Sequence, residues 1–401
     1  IDTAVANGTP TWEPRLFSTC RPPPLWCCCP AHPYLYCNQC SFDHTAHPVS
    51  GRIGRQSPLR HGVLMRVAIL DDYQDQVRHL PCFTRLAGHD VTILTQSEPD
   101  PERLAAKLAG VEALVLIRER TRIDEALLRR LPSLRLISQT GKISQHIDPL
   151  LCQHHGVAVA EGIGSPVAPA ELCWALIMAA SRHLPAYCHA LAQGQWQQSG
   201  TLGLGRTLQG LTLGIWGYGK IGRLVAGYGR SFGMSVLIWG SEGSRQQAER
   251  DGHASASDKE AFFRDADILS LHLRLHEATR GCVTRTDLAR MKADSLLVNV
   301  SRAELVEPGA LYAELAANPT RRAALDVFDA EPATAQSEPL LRLPNVLATP
   351  HLGYVERNSY QLYFQAAFDN LIAFAEGRPT NLVLPVAGRR SRLSGGQTAN
   401  M

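Results

Sequence analysis

The chain has 401 residues, enough for two or three domains that each bury a core of their own. Hydrophobic residues make up 45% and charged residues 19%, with a formal net charge of +3; this fits a globular protein and leaves no strongly basic surface for nucleic acid or membrane. The most apolar run, LCWALIMAA from Leu172 to Ala180, is too short to span a bilayer, and no signal-peptide pattern opens the chain, so a cytoplasmic protein is expected.

Six of the eleven cysteines (Cys20, Cys27, Cys28, Cys29, Cys37 and Cys40) and nine of the 25 prolines fall before residue 65. That stretch has neither helical nor alternating apolar period. At Met65 the texture changes to MRVAILDDYQD, so residues 1–64 are expected to be an extraneous or disordered segment. Cys37-x-x-Cys40 with His44 and His47 offers a zinc reading. Structural zinc sites separate their ligand pairs more widely, and no metal is expected. The remaining cysteines are scattered singly, as thiols in a reducing compartment would be.

From Met65 onward short strands rich in Val, Ile and Leu alternate with helical stretches, the pattern of a parallel sheet covered on both faces. The first series is 66–70, 90–94, 113–117, 134–138 and 157–160. One long helix is expected from about Ser165 to Gln195, with prolines in its first turn. A second series follows at 211–216, 235–239, 267–273, 295–300, 323–328 and 345–350. The final helix, about Glu356 to Glu376, carries Tyr360, Phe364, Ala367, Phe368 and Leu371 at helical spacing, which predicts a core face. Two doubly wound α/β units in tandem are expected, with residues 386–401 a disordered tail.

The second series opens on LTLGIWGYGKIG, in which Gly217-x-Gly219-x-x-Gly222 follows a strand and starts a helix at Lys220. Gly217 allows the tight turn, Gly219 lets the backbone approach a pyrophosphate, and Gly222 lets helix and strand pack closely. The loop Gly217, Tyr218, Gly219, Lys220, Ile221 and Gly222 is therefore a candidate dinucleotide cradle. An acidic residue at the end of the next strand would grip the ribose of NAD, but Gly240 stands there, with Ser241, Glu242, Ser244 and Arg245 after it. A missing carboxylate beside an arginine leans toward the 2′-phosphate of NADP, while Glu242 keeps NAD open. The cofactor reading is NAD or NADP.

Three further strands end in chemistry-bearing residues: Arg302 after LLVNVS, Asp326 and Glu331 in AALDVFDAEP, and His351 in NVLATPHLGY. Open α/β sheets bind ligands at such strand ends. The ordered set IRERT, GIGSPVAPAE, GYGKIG, LHLRLHEATRG, VNVSRAEL, LDVFDAEP and TPHLG resembles the D-isomer-specific 2-hydroxyacid dehydrogenase family, from about Met65 to Pro385. The resemblance implies a Rossmann nucleotide domain, residues 165–349, inserted into a flavodoxin-like substrate domain, residues 65–164 and 350–385. It implies hydride transfer between nicotinamide C4 and C2 of a small anionic 2-oxo or 2-hydroxy acid, and a homodimer. On this resemblance Arg302 anchors the substrate carboxylate and Glu331 pairs with the acid/base His351. A carboxylate beside an imidazole stabilises the protonated ring, which suits a proton donor. Asp326 matches a position near the nicotinamide. Gly141 and Lys142 fall in the loop that holds the substrate carboxylate, although Ile143 replaces the loop's second glycine. Arg118 and Arg120 either contact an anionic substrate or pair with Glu119 and solvent. Tyr354 replaces the usual glycine after TPHLG. The same family implies two alternatives, a dinucleotide-sensing corepressor-like scaffold and a formate- or phosphite-type oxidation.

Overall fold

A computed structural model describes residues 64–385; the expected extraneous segment, the Cys37–Cys40 pair and the terminal tail lie outside the described residues. The first sheet contains β1 (Arg66–Ile69), β2 (Asp90–Ile93), β3 (Ala113–Leu116), β4 (Leu136–Gln139) and β5 (Ala158–Ala160). Every pairing in it is parallel, in the order β2-β1-β3-β4-β5. Strands alternate their side chains between two faces, and here both faces are buried. Val67, Ile69, Ala113 and Val115 point to one core, while Ala68, Leu114 and Leu116 point to the other.

The helix Arg357–Ala375 closes the first of those cores, burying Tyr360, Tyr363, Phe364, Ala367, Phe368 and Leu371 against the sheet. Their spacing of three and four residues keeps them on one side of the helix. Glu356 fixes where it starts, its carboxylate accepting from the backbone N–H groups of Asn358 and Ser359 at 2.7 and 2.5 Å.

The second sheet contains β6 (Thr212–Trp216), β7 (Ser235–Trp239), β8 (Ala254–Ser255), β9 (Ile268–Leu271), β10 (Leu296–Asn299), β11 (Arg322–Leu325) and β12 (Val346–Ala348). Its order is β12-β11-β10-β9-β6-β7-β8, again all parallel. The order reverses at β6, so a crevice opens beyond its C-terminal end, the place where doubly wound sheets bind nucleotides. The strand β8 escapes sequence reading because it is two residues long and has no apolar run.

One expected element divides. The stretch 165–195 forms two helices, Val167–Ser181 and Leu184–Ala192, with His183 between them at a left-handed φ of 52°. Pro185 has no N–H to continue the first helix, and the Ser181 carbonyl instead accepts from Arg206 N–H at 2.8 Å. No helix among the described residues is long and apolar enough to cross a membrane, and none of their His, Cys, Asp and Glu side chains form a group able to hold a metal.

Candidate active site at the strand ends

The turn after β6 is shaped by two glycines that have no room for a side chain. Gly217 takes φ 103°, and a Cβ there would stand 2.6 Å from the His272 carbonyl. A Cβ on Gly222 would stand 2.2 Å from the Gly217 carbonyl, so the helix can lie this close to the strand only without one. Gly219 differs: nothing lies within 4 Å of where its Cβ would be, leaving its backbone open to a ligand. The helix Lys220–Ser231 begins there with no side-chain cap, so its first N–H groups are free to bind an anion. These features fit a dinucleotide pyrophosphate. Tyr218 contributes backbone only, because its ring is buried and its hydroxyl donates to Asp251 at 2.9 Å.

At the end of β7, Gly240 takes φ 153° and no carboxylate occupies the strand end. Ser241 caps the helix Glu242–Arg250. The Arg245 guanidinium lies 4.9 Å from the centre of the Trp239 ring and has no ion pair among the described residues. Glu242 is engaged along its own helix, accepting from Gln246 at 3.0 Å.

Arg302 is positioned by Asn299, the last residue of β10. Its side-chain amide donates to the Arg302 carbonyl at 2.8 Å and its oxygen accepts from Ser301 N–H at 3.0 Å. The Arg302 guanidinium donates to the Ser301 carbonyl at 2.6 Å and to Glu119 Oε1 at 2.5 Å. Burial alone would raise the Glu119 carboxyl, but Arg302 outweighs it and holds that group below the usual range.

Glu331 and His351 meet across the ends of β11 and β12. His351 Nδ1 lies 2.7 Å from Glu331 Oε2, while Glu331 Oε1 accepts from Phe328 N–H at 3.0 Å. His351 holds a left-handed φ of 52°, a conformation that costs a non-glycine residue energy and persists only when the surroundings enforce it. Asp326 enforces it. Its fully buried carboxylate accepts from Thr349 Oγ1 at 2.6 Å, Leu352 N–H at 2.7 Å and Gly353 N–H at 2.9 Å. Asp326, expected as a cofactor contact, has both carboxylate oxygens engaged in bracing the His351 turn, and burial raises its pKa.

Glu119, Arg302, Glu331 and His351 line one cavity of about 610 Å³, which also receives Arg118, Arg120, Tyr73 and Tyr354. The Tyr354 ring sits edge-on to His351 at 5.6 Å, and both arginines lie 5.5 Å from its centre. Arg120 is further held 4.3 Å over Tyr73 and donates to the Asp71 carbonyl at 2.6 Å. Neither Arg118 nor Arg120 pairs with Glu119, and neither has any ion pair among the described residues.

The loop of Gly141 and Lys142 departs from expectation. Lys142 is 68% exposed at its side chain and pairs with Glu161 at 2.6 Å, outside the cavity. The same Glu161 accepts from Ile143 N–H at 2.9 Å, which removes that donor from any substrate. The Arg118 guanidinium covers Gly141 so closely that a Cβ there would collide with it.

Sequence reading missed Tyr73, the partner chosen by Glu119, and His146. Tyr73 could have been found from its place just beyond β1, a strand-end position like the others. His146 is buried with both ring nitrogens unpartnered. Burial pushes its pKa down to about 4, so the ring is neutral at ordinary pH.

A family profile described as the D-isomer specific 2-hydroxyacid dehydrogenase, NAD binding domain, matches residues 174–353. The chain is 36% identical over 303 residues to a glyoxylate reductase of Aeropyrum pernix, covering 74% of this chain and 90% of that protein. It is 31% identical over 262 residues to a hydroxypyruvate reductase of Thermotoga maritima, covering 65% of this chain and 83% of that one. Among solved structures, a phosphoglycerate oxidoreductase from Vibrio cholerae superposes with a TM-score of 0.78 at 63% identity, covering 78% of this chain and 100% of that chain. With the two parallel sheets and the glycine cradle, these likenesses make the chain a member of the D-isomer specific 2-hydroxyacid dehydrogenase family, an oxidoreductase that uses a nicotinamide dinucleotide and acts on a CH–OH group.

Proposed function

We propose that the chain reduces small 2-oxo acids to D-2-hydroxy acids, and catalyses the reverse, with Arg302 as carboxylate anchor and the His351–Glu331 pair as acid/base. The observation that carries this reading is the 2.7 Å contact between His351 and Glu331 on the same cavity as the Arg302 guanidinium. When bound, the reduced dinucleotide supplies the hydride. The backbone N–H groups at Gly219, Lys220 and Ile221 would hold its pyrophosphate, and Gly240, Ser241 and Arg245 would hold its adenosine ribose. Arg302 presents a planar fork that suits a carboxylate and draws electron density from the neighbouring keto oxygen. His351, with Nδ1 engaged by Glu331, is left with Nε2 to protonate that oxygen. Arg118 and Arg120 bring two further positive charges to the cavity and receive an anionic group of the substrate. On this reading, residues 65–164 and 350–385 form the substrate domain and residues 165–349 the nucleotide domain.

The test follows loss of reduced-cofactor absorbance with glyoxylate, hydroxypyruvate, pyruvate and larger 2-oxo acids, using NADH and NADPH separately. Turnover with at least one acid is expected. Cofactor binding without turnover on any acid would overturn the reading in favour of a dinucleotide-sensing scaffold or a formate- or phosphite-type oxidation.

We also infer a homodimer. Leu184, Leu191, Trp196 and Leu204 are 49%, 57%, 74% and 92% exposed along the segment leading into β6, more apolar surface than a monomer gains from leaving in water. Sedimentation should return twice the 43.9 kDa chain mass; a monomer at micromolar concentration would contradict the inference.

A further inference from the structure

The cavity contains an ion pair for which the proposed chemistry has no use. Glu119 lies in the loop after β3 of the first sheet, and Arg302 follows β10 of the second. Their 2.5 Å contact is, among the described residues, the one salt bridge joining a loop of the first sheet to a loop of the second. The two side chains are 26% and 27% exposed, so solvent screens the pair only in part. The choice of partner is informative. Arg118 and Arg120 flank Glu119 in the chain and have no other ion pair, yet their guanidiniums lie over Tyr354 and Tyr73 while Glu119 reaches Arg302. A carboxylate from the protein therefore stands on the guanidinium assigned to a carboxylate of the substrate.

We propose that Glu119 is a specificity-determining latch: it occupies Arg302 when the cleft is empty and gives way only to a ligand that brings a carboxylate of its own. This rests on the reading of Arg302 as the substrate anchor. The exchange replaces one carboxylate–guanidinium pair with another, so a neutral carbonyl compound, which cannot repay the lost pair, is disfavoured. The displaced carboxylate has groups to receive it. Arg118 lines the same cavity, has no ion pair among the described residues and draws on Glu119 electrostatically, and the neutral His146 ring keeps an N–H without a partner. Because Glu119 has left Arg302 both in the substrate complex and in the transition state, the latch weakens binding without slowing the chemical step.

The test compares the unaltered full chain with Glu119→Gln, a variant of the same shape without the charge, at saturating cofactor. KM for glyoxylate is expected to fall on the order of fivefold, the range of a partly exposed ion pair, with no loss of kcat. The inhibition constant of oxalate, a carboxylate ligand that does not react, should fall in parallel. In an Arg302→Ala background the Glu119→Gln effect should vanish. An unchanged KM in Glu119→Gln, or a raised KM with lower kcat, would overturn the latch; the second result would mean that Glu119 merely orients Arg302. Arg302→Ala alone separates the two readings. If it raises KM while Glu119→Gln does nothing, the latch fails and the anchor stands; if it leaves KM unchanged, the anchor itself fails.

Discussion

Replacing His351 with asparagine is expected to lower kcat by about 10²- to 10⁴-fold, the usual contribution of a positioned general acid. Asparagine is the informative substitution because His351 sits at φ 52°, which asparagine tolerates better than alanine does. The Asp326 brace to Thr349, Leu352 and Gly353 does not involve the His351 side chain, so the turn should keep its course. Cofactor affinity should hardly change, since the glycine turn after β6 belongs to a separate loop. Dinucleotide titration together with initial rates gives both quantities. Turnover within tenfold of the unaltered chain would remove His351 from the chemistry.

Arg302→Ala is expected to lower kcat/KM by about 10²- to 10³-fold, the range found when a preorganised charge-stabilising donor is removed. The loss should appear in KM as well as kcat, because the guanidinium holds the carboxylate in the ground state and polarises the keto oxygen as charge develops. Arg302→Lys should recover only part of it, since a lysine ammonium lacks the planar fork. The backbone of this loop is held by Asn299 through the Arg302 carbonyl and Ser301 N–H, contacts that survive the substitution. Unchanged kinetics in Arg302→Ala would place the substrate elsewhere.

Much of this site could be read along the chain because its parts are local. The glycine turn lies between an apolar strand and a helix, and Arg302, Glu331 and His351 each stand just beyond a strand. Strand ends converge in a parallel sheet, so position along the chain already implies proximity. What escaped depends on choices between distant groups. Glu119 and Arg302 are 183 residues apart, and nothing local tells a carboxylate between two arginines to prefer a third. Asp326 was expected near the nicotinamide from the family resemblance, and nothing local foretold that Thr349, Leu352 and Gly353 would donate to its oxygens. Lys142 turned outward because Glu161, on the neighbouring chain segment, offered it and Ile143 a partner. The helix break at His183 was legible in Pro185, a residue more often found in the first turn of a helix than in its interior.

The most direct test of the account uses NADH or NADPH carrying deuterium at the transferable C4 position, with hydroxypyruvate or pyruvate as acceptor. One deuterium at C2 of the product per cofactor oxidised is expected, in the D configuration, with a rate that collapses in His351→Asn. Cofactor oxidation that leaves C2 unlabelled, or an L product, would contradict it.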